Sequence, residues 1–169
     1  DPDGVMSFDE LVFEHQRRTV DNFLELRRIA PDLDIFPVLQ GSTLLQYARH
    51  AGMYEQAGIR LADEELVGLG SVCRRQNTTS VFLIITQLAR ETGLPLHGFG
   101  VKTAGLQDYG QHLASADSLA WSVAGRYEPG CNPTHRTEAN CLPYALDWRR
   151  NLLARLRIHP RAVHQAVAA

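Results

Sequence analysis

Apolar side chains recur at helical intervals near the start of the chain. Ser7 and Glu10 have the spacing of a capping box, a common helix start. The apolar positions that follow lie among charged residues as far as Ala30, and Pro31 ends the pattern. They are Leu11, Val12, Val20, Phe23, Leu24 and Leu26. The pattern predicts a first amphipathic helix.

A strand and a second helix are predicted next. Residues 35–39 form a short apolar run of the length of a strand. Ser42 or Thr43 then caps a helix, and Gly58 stands where a left-handed C-cap glycine belongs. The order along the chain is therefore strand, then helix.

This order recurs further along the chain. Residues 66–72 are predicted to form a second buried strand, and residues 78–92 a third helix. Two more apolar runs, 96–101 and 116–121, predict strands on either side of a short helix near 106–113. Strands that alternate with helices indicate βαβ units, so the predicted fold is α/β with a parallel sheet.

Each predicted strand ends in polar residues or glycine. The carboxyl ends of parallel strands carry the functional site in barrels and in open α/β sheets. The residues at these ends are Gln40 and Gly41, Gly70 and Ser71, Lys102 and Thr103, and Asp117 and Ser118.

Asp117 is the only carboxylate in the last predicted strand, between Ala116 and Leu119. If that strand is buried, the acid must be paired, hydrogen-bonded or functional, because an unpaired buried charge costs several kcal/mol. Two interpretations remain open. Asp117 either caps the following turn or is a catalytic carboxylate at the mouth of a parallel barrel.

Composition limits the class of protein. The chain has 169 residues, 44% of them hydrophobic, which is enough for one core. It shows no membrane span or signal peptide, so we expect a cytoplasmic protein. Three cysteines fit a reducing compartment and a metal better than a disulfide framework. The net charge of −2 leaves nucleic acid open as a partner, because a local basic patch suffices.

Four motifs, taken in order and with their spacing, resemble the second half of the barrel of tRNA-guanine transglycosylases. They are PVLQG at 37–41, VGLGSVCRR at 67–75, HGFGVKTAGL at 97–106 and SADSLAWS at 115–122. The likeness is greatest to the DpdA branch, which places 7-deazaguanine bases in DNA. The resemblance implies a TIM-type (β/α) barrel, of which this chain holds about the second half. It also implies a retaining exchange of guanine for a deazaguanine.

The resemblance assigns roles to strand-end residues. Asp117 matches the aspartate nucleophile, which bonds to the sugar carbon in a covalent intermediate. Gln40, followed by Gly41, matches the glutamine that hydrogen-bonds the base edge. Gly68 and Leu69 match the pair whose backbone reads the base. The alternatives are a glutamine that caps the next helix and glycines chosen for strand packing.

Basic residues near the strand ends are candidates for phosphate contacts. Lys102 and Thr103 follow the strand after which barrels often bind phosphate. Arg74 and Arg75 are candidates for the nucleic-acid backbone. Solvated surface charges are the alternative interpretation.

Cys131, His135 and Cys141 lie close together in a loop rich in Pro, Gly, Asn and Thr. The resemblance implies a structural zinc site after the last strand, and these residues are its candidate ligands. A tetrahedral zinc takes four ligands, so His159 or His164 would be the fourth, or none is present. Free thiols beside a loop histidine are the alternative. Cys73, by contrast, is expected in the core.

The chain is predicted to divide into a partial barrel at 1–127 and a zinc loop with a C-terminal helix at 128–169. Four strands cannot close an eight-stranded barrel, and the family's general-base aspartate has no match here. We therefore expect a homo-oligomer or a partner that completes the barrel. DNA is the favoured substrate and tRNA the alternative. A non-catalytic binding subunit and an unrelated phosphate-binding α/β protein are the competing hypotheses.

Overall fold

A computed structural model describes residues 6–72 and 79–156. Within these ranges, helices alternate with short strands along the chain. The helices are α1 (Phe8–Ile29), α2 (Leu44–Gln56), α3 (Thr79–Thr92), α4 (Thr103–Tyr109), α5 (Ala120–Gly125) and α6 (Leu142–Arg155). The strands are β1 (Val38–Leu39), β2 (Val67–Leu69), β3 (Leu96–Gly98) and β4 (Ser115–Ala116).

The four strands form one parallel sheet in the order β1-β2-β3-β4. Val38 lies opposite Gly68, Gly68 lies opposite His97, and His97 lies opposite Ser115. The predicted parallel α/β sheet is therefore confirmed. The strands are shorter than the apolar runs that predicted them, because the ends of those runs continue into loops.

One face of the sheet builds the core. Alternate residues of a strand point to opposite faces, so Leu39, Leu69 and Leu96 lie on the same side as Val67. These side chains are fully buried against residues of the helices. The helical residues in this core include Val20, Phe23, Tyr47, Tyr54, Val81, Ile85, Leu88 and Tyr109. The opposite face is left for smaller and more polar side chains.

α1 begins as predicted, with a capping box. The Ser7 hydroxyl accepts from the Glu10 N–H, and the Glu10 carboxylate accepts from the Ser7 N–H. Further along, the buried Gln16 donates to the carbonyls of Gln40, at 2.6 Å, and Gln46, at 2.8 Å. These bonds fix the middle of α1 to the end of β1 and to the first turn of α2.

The predicted second and third helices are confirmed with small changes at their ends. Thr43, not Ser42, caps α2, and its hydroxyl accepts from the Gln46 N–H. Gly58 has a φ of +83°, the left-handed conformation expected after a helix. α3 is described from Thr79 onward.

The prediction of a buried strand over 116–121 is wrong. β4 covers only Ser115 and Ala116, both exposed, and Ala120 already belongs to α5. Leu119 is 71% exposed. A short apolar run cannot distinguish strand from helix, and a strand at a sheet edge has a neighbour on one side only. Asp117 consequently lies at an exposed edge and not in a buried strand.

Beyond α5 the chain forms a loop and then α6. Pro129 pairs with Thr137 in an antiparallel bridge, and the Glu138 N–H donates to the Glu128 carbonyl. α6 begins with Cys141 as its N-cap residue, and none of its residues is buried. None of the helices in the described part of the chain has the length and apolar character that a membrane crossing requires.

Candidate functional site

Asp117 directly follows β4, at the carboxyl edge of the sheet. Its backbone N–H donates to the Gly98 carbonyl at 3.3 Å, which continues the pairing of β4 with β3. Its Oδ1 accepts from the Gly100 N–H at 2.9 Å. The side chain is still 57% exposed. The carboxylate is therefore held by one oxygen and open to a ligand.

His97 lies beside this carboxylate. Its Nε2 is 3.3 Å from Asp117 Oδ1, and its Nδ1 is 2.8 Å from the Ser115 hydroxyl. Its ring packs edge-on against Phe99, with ring centroids 4.8 Å apart. His97 is not among the residues predicted from the sequence. No local signal singles it out, because the register of β3 and β4 decides which side chains lie side by side.

Small residues line the face of the sheet that carries His97. Gly68 is buried beside it on β2, and a Cβ added there would lie 2.6 Å from the Phe99 ring and 3.1 Å from Val38. Phe99 thus occupies the space over the backbone that the sequence assigned to base recognition. Leu69 points to the other face, where it is fully buried in the core. Only its backbone could contact a ligand.

Gln40 lies at the carboxyl end of β1 and is held at three points. Its N–H donates to His50 Nδ1 at 2.8 Å, and its carbonyl accepts from Gln16. Its side-chain amide donates to the Thr19 hydroxyl at 3.2 Å. Since Thr43 caps α2, Gln40 is not the cap of that helix.

A cavity of about 270 Å³ opens beside Gln40 and Gly41. Its walls are the first turns of α1 and the ends of β1 and β2. The lining residues are Phe8, Leu11, Val12, His15, Gln40, Gly41, Ser42 and Ser71. One wall is apolar and the other polar, a combination that is common in ligand pockets. β1 and β4 are separated by two strands, so Gln40 and Asp117 lie on opposite sides of the site, about 14 Å apart by strand spacing.

Lys102 and Thr103 lie next to the loop that holds Asp117. Lys102 is the exposed N-cap residue of α4, and Thr103 begins that helix. Both follow Gly100, whose N–H binds the carboxylate. Arg74, Arg75 and Cys73 lie outside the described residues, as do His159 and His164.

Cys131, His135 and Cys141 come together as predicted, and Glu138 joins them. One ligand atom from each of the four lies within 4.8 Å of the others. The Cys131 Sγ is 3.6 Å from both the Cys141 Sγ and the His135 Nε2. His135 Nε2 is 3.5 Å from Glu138 Oε1. The cluster is a candidate metal site.

The burial of the Glu138 carboxylate is the feature of this cluster that points to a bound cation. It is 5% exposed, and neither of its carboxylate oxygens makes a well-formed hydrogen bond within the described residues. The Cys141 thiol beside it lowers the pKa of Glu138, and the carboxylate in turn raises the pKa of Cys141 to about 11. A buried carboxylate is costly unless a cation or proton donors compensate for it, and here the neighbouring groups are His135 and the two thiols. The donor set therefore fits a metal ion.

The backbone explains how the four ligands meet. The Pro129–Thr137 bridge folds the loop back on itself and brings Cys131 near His135. Glu138 follows directly in a single turn of 3-10 helix, and Cys141 ends that turn and caps α6. Glu138 is not among the metal ligands predicted from the sequence. Its position three residues after His135 and three before Cys141 was the available signal.

The fold and the site define a class: an α/β protein with a parallel sheet, a histidine-flanked carboxylate at its carboxyl edge and a separate candidate metal centre. The family model of DpdA, DeoxyPurine in DNA protein A, matches residues 1–169, so the chain belongs to this family. Membership relates the chain to transglycosylases of DNA modification. No curated protein and no solved structure matches the chain.

Proposed function

We propose that this chain carries the nucleophile of a transglycosylase that exchanges guanine for a 7-deazaguanine in DNA. The observation that carries the proposal is the position of Asp117. Its carboxylate lies at the carboxyl edge of a parallel sheet, anchored by Gly100 through Oδ1 and more than half exposed. Membership in the DpdA family supports DNA as the substrate.

The exchange has two steps. A carboxylate oxygen of Asp117 attacks the C1′ of the sugar while the bond between C1′ and guanine N9 breaks, and the electron pair leaves with the base. The deazaguanine then attacks C1′ through its own N9 and releases the proton of that nitrogen, and the bond to Asp117 breaks. The released proton balances the one that the departing guanine takes up at its N9. Two inversions retain the configuration at C1′. The target base must be flipped from a duplex, at a cost of a few kcal/mol.

Base recognition is assigned to the remaining strand ends. Gln40, Gly41 and the backbone of Gly68 and Leu69 are proposed to read the base. Lys102 and Thr103 are proposed to contact phosphate, and so are Arg74 and Arg75. The Phe99 ring covers Gly68. For a base to reach the Gly68 backbone, this ring has to stack on the base or move aside.

The sheet is proposed to be half of a TIM-type barrel. Its strands lie side by side in the order of the sequence, without the reversal that creates the switch point of an open doubly wound sheet. Crossovers of one hand then place all the connecting helices on one face, as in a barrel. β1 and β4 each keep an unpaired edge among the described strands. A second copy or a partner would pair with them.

Zinc is the metal proposed for the candidate centre, with a structural role. Two thiolates bound at about 2.3 Å to a tetrahedral zinc lie about 3.8 Å apart. The observed separation of the Cys131 and Cys141 sulfurs is 3.6 Å. The proposed ligands are Cys131, His135, Glu138 and Cys141, and with zinc they would fasten the loop to α6. The boundary between barrel and metal region is proposed at 127/128.

The test is intact-protein mass spectrometry of the chain after incubation with a guanine-containing DNA strand. We expect a covalent DNA adduct with the wild-type chain and none with Asp117→Asn. Asp108→Asn is the matched control, since Asp108 is an exposed carboxylate on α4 outside the site. Adducts that persist in Asp117→Asn would contradict the proposal.

A second assay separates the substrates. Labelled guanine is offered to the protein with DNA or with tRNA, and incorporation is counted. Incorporation into DNA alone is the expected result, whereas incorporation into tRNA alone would establish the tRNA alternative. Binding of DNA with neither adduct nor exchange would favour the non-catalytic subunit.

A further inference from the structure

We infer that His97 is a positioning residue for Asp117, and that its Nε2–H holds Oδ1 so that Oδ2 is the oxygen that attacks. The inference rests on the proposed function of Asp117 as nucleophile. His97 lies within β3, whereas the site residues predicted from the sequence lie mainly at the ends of the strands.

Two nitrogens lie close to one carboxylate oxygen. The Gly100 N–H is 2.9 Å from Asp117 Oδ1, and His97 Nε2 is 3.3 Å from the same atom. They approach from the loop after β3 and from β3 itself, so together they restrict rotation of the carboxylate. Oδ2 makes no hydrogen bond to any described residue. One oxygen is thus anchored, and the other is available to a substrate.

The surroundings of His97 specify which nitrogen carries its proton. An ionised carboxylate only accepts hydrogen bonds, so Nε2 must be the protonated nitrogen if it is to bond Oδ1. Nδ1 is then an acceptor, and the Ser115 hydroxyl, 2.8 Å away, can donate to it. Ser115 lies directly opposite His97 in the register of β3 and β4. In this arrangement the Ser115 hydroxyl donates to His97 Nδ1, and His97 Nε2–H donates to Asp117.

The imidazole is held in place by packing. Its side chain is 17% exposed, and its ring meets Phe99 edge-on at an interplanar angle of 71°. Phe99 in turn lies over Gly68 on β2. The orientation of His97 is therefore set by residues from three strands or their ends, and this preorganisation is what a positioning residue needs.

The donor on Oδ1 suits both steps of the exchange. As the bond between Oδ2 and C1′ forms, Oδ1 becomes the carbonyl oxygen of the ester and remains a hydrogen-bond acceptor. When that bond breaks in the second step, the negative charge returns to the carboxylate, where the His97 N–H and the Gly100 N–H stabilise it. Hydrogen bonds at such sites are often long in the free enzyme and shorten with substrate.

The first test does not depend on activity. The full chain is labelled with ¹⁵N in its histidines, and the nitrogen chemical shifts of His97 are measured at a pH where the ring is neutral. We expect the tautomer protonated at Nε2, with Nδ1 unprotonated. Ser115→Ala should raise the fraction protonated at Nδ1. A wild-type ring protonated mainly at Nδ1 would overturn the inference, because an unprotonated Nε2 cannot donate to Asp117.

The second test measures adduct formation with DNA. We expect His97→Leu to lower the rate at saturating DNA by roughly 10- to 100-fold while DNA affinity stays within about twofold. His97→Gln keeps an N–H donor and should recover part of the rate. His112→Leu, a histidine outside the site, is the matched control.

The outcomes separate the inference from the function on which it rests. A wild-type adduct together with an unchanged rate in His97→Leu would overturn the inference and leave the function intact. A wild-type chain that forms no adduct with any nucleic acid would overturn the proposed function, and the tautomer would then decide whether His97 holds Asp117. If His97→Leu does not fold, the comparison with His97→Gln and the wild-type tautomer replaces it.

Discussion

Gly68 connects packing to the site at the scale of a single residue. Its missing side chain makes room for Phe99, and Phe99 is the ring against which His97 packs. The sequence offered two explanations for this glycine, base recognition and close packing. The observed contact supports close packing, and the backbone role stays a proposal.

Gly68→Ala should therefore destabilise the protein. The new methyl group would lie 2.6 Å from the Phe99 ring, so that ring must move, and we expect a loss of about 1–3 kcal/mol in the free energy of unfolding. Urea denaturation measures this change. Gly52→Ala is the control, because nothing lies within 4 Å of the new atom in the middle of α2. There we expect a gain of about 0.5–1 kcal/mol. Equal effects at the two positions would contradict the packing argument.

His50 makes stability depend on pH. It is fully buried in α2 and accepts from the Gln40 N–H, and burial lowers the pKa of His50 from 6.5 to about 4. The unfolded chain therefore binds a proton at a higher pH than the folded chain does. The stabilising contribution is complete above pH 6.5 and is lost as the pH falls through 4.

We expect His50 alone to cost about 2.5 kcal/mol of stability between pH 7 and pH 4.5. The measurement is the free energy of unfolding at both values, for the wild type and for His50→Gln. Gln keeps an acceptor for the Gln40 N–H but does not titrate. The variant should lose less stability than the wild type over this interval. Parallel losses would mean that other groups cause the acid sensitivity.

At the scale of elements, the candidate metal centre links a loop to the start of a helix. α6 buries none of its residues, so its attachment depends on few apolar contacts. A metal held by Cys131 and His135 from the loop and by Cys141 at the helix N-cap would supply the missing connection. Metal binding of this kind contributes directly to folding free energy.

Zinc removal should thus loosen α6. We expect native mass spectrometry to find one zinc per wild-type chain, and a chelator to speed hydrogen exchange in α6 while β2 is unaffected. Glu138→Gln should weaken zinc binding by at least about tenfold. Glu128→Gln changes an exposed carboxylate of the same loop and should bind zinc like the wild type. A chain that binds no zinc, or equal affinity in both variants, would rule out the four-residue centre.

On the scale of the whole molecule, the sheet has a protected centre and an exposed edge. β2 lies between two strands and is buried throughout, whereas both residues of β4 are exposed. A half-barrel that meets a partner would use this edge. The exposed edge carries Asp117, so a partner at this edge would lie next to the carboxylate.

Hydrogen exchange tests the contrast between the protected strand β2 and the exposed strand β4. After correction for intrinsic rates, the amide of Gly68, bonded to the Pro37 carbonyl, should exchange at least about 100-fold more slowly than that of Asp117. If copies of the chain pair through β4, protection of Asp117 should rise with protein concentration. Equal protection of both amides in dilute solution would show that β4 is already covered.

Local rules allowed the sequence to determine much of this protein. The capping box at Ser7, the left-handed Gly58 and the alternation of strands and helices were all predictable, because each depends on residues close together in the chain. The gathering of Cys131, His135 and Cys141 was predictable for the same reason. The order of the motifs also indicated the family to which the chain belongs.

Other features depended on contacts between distant segments. Only the register of β3 and β4 brings His97 and Ser115 together beside Asp117, and only the position of β4 at the edge leaves that acid exposed. The backbone bridge of the loop, in turn, adds Glu138 to the metal candidates. Sequence patterns describe which face of an element is apolar, but burial and pairing depend on what lies opposite, and the tertiary structure alone decides that.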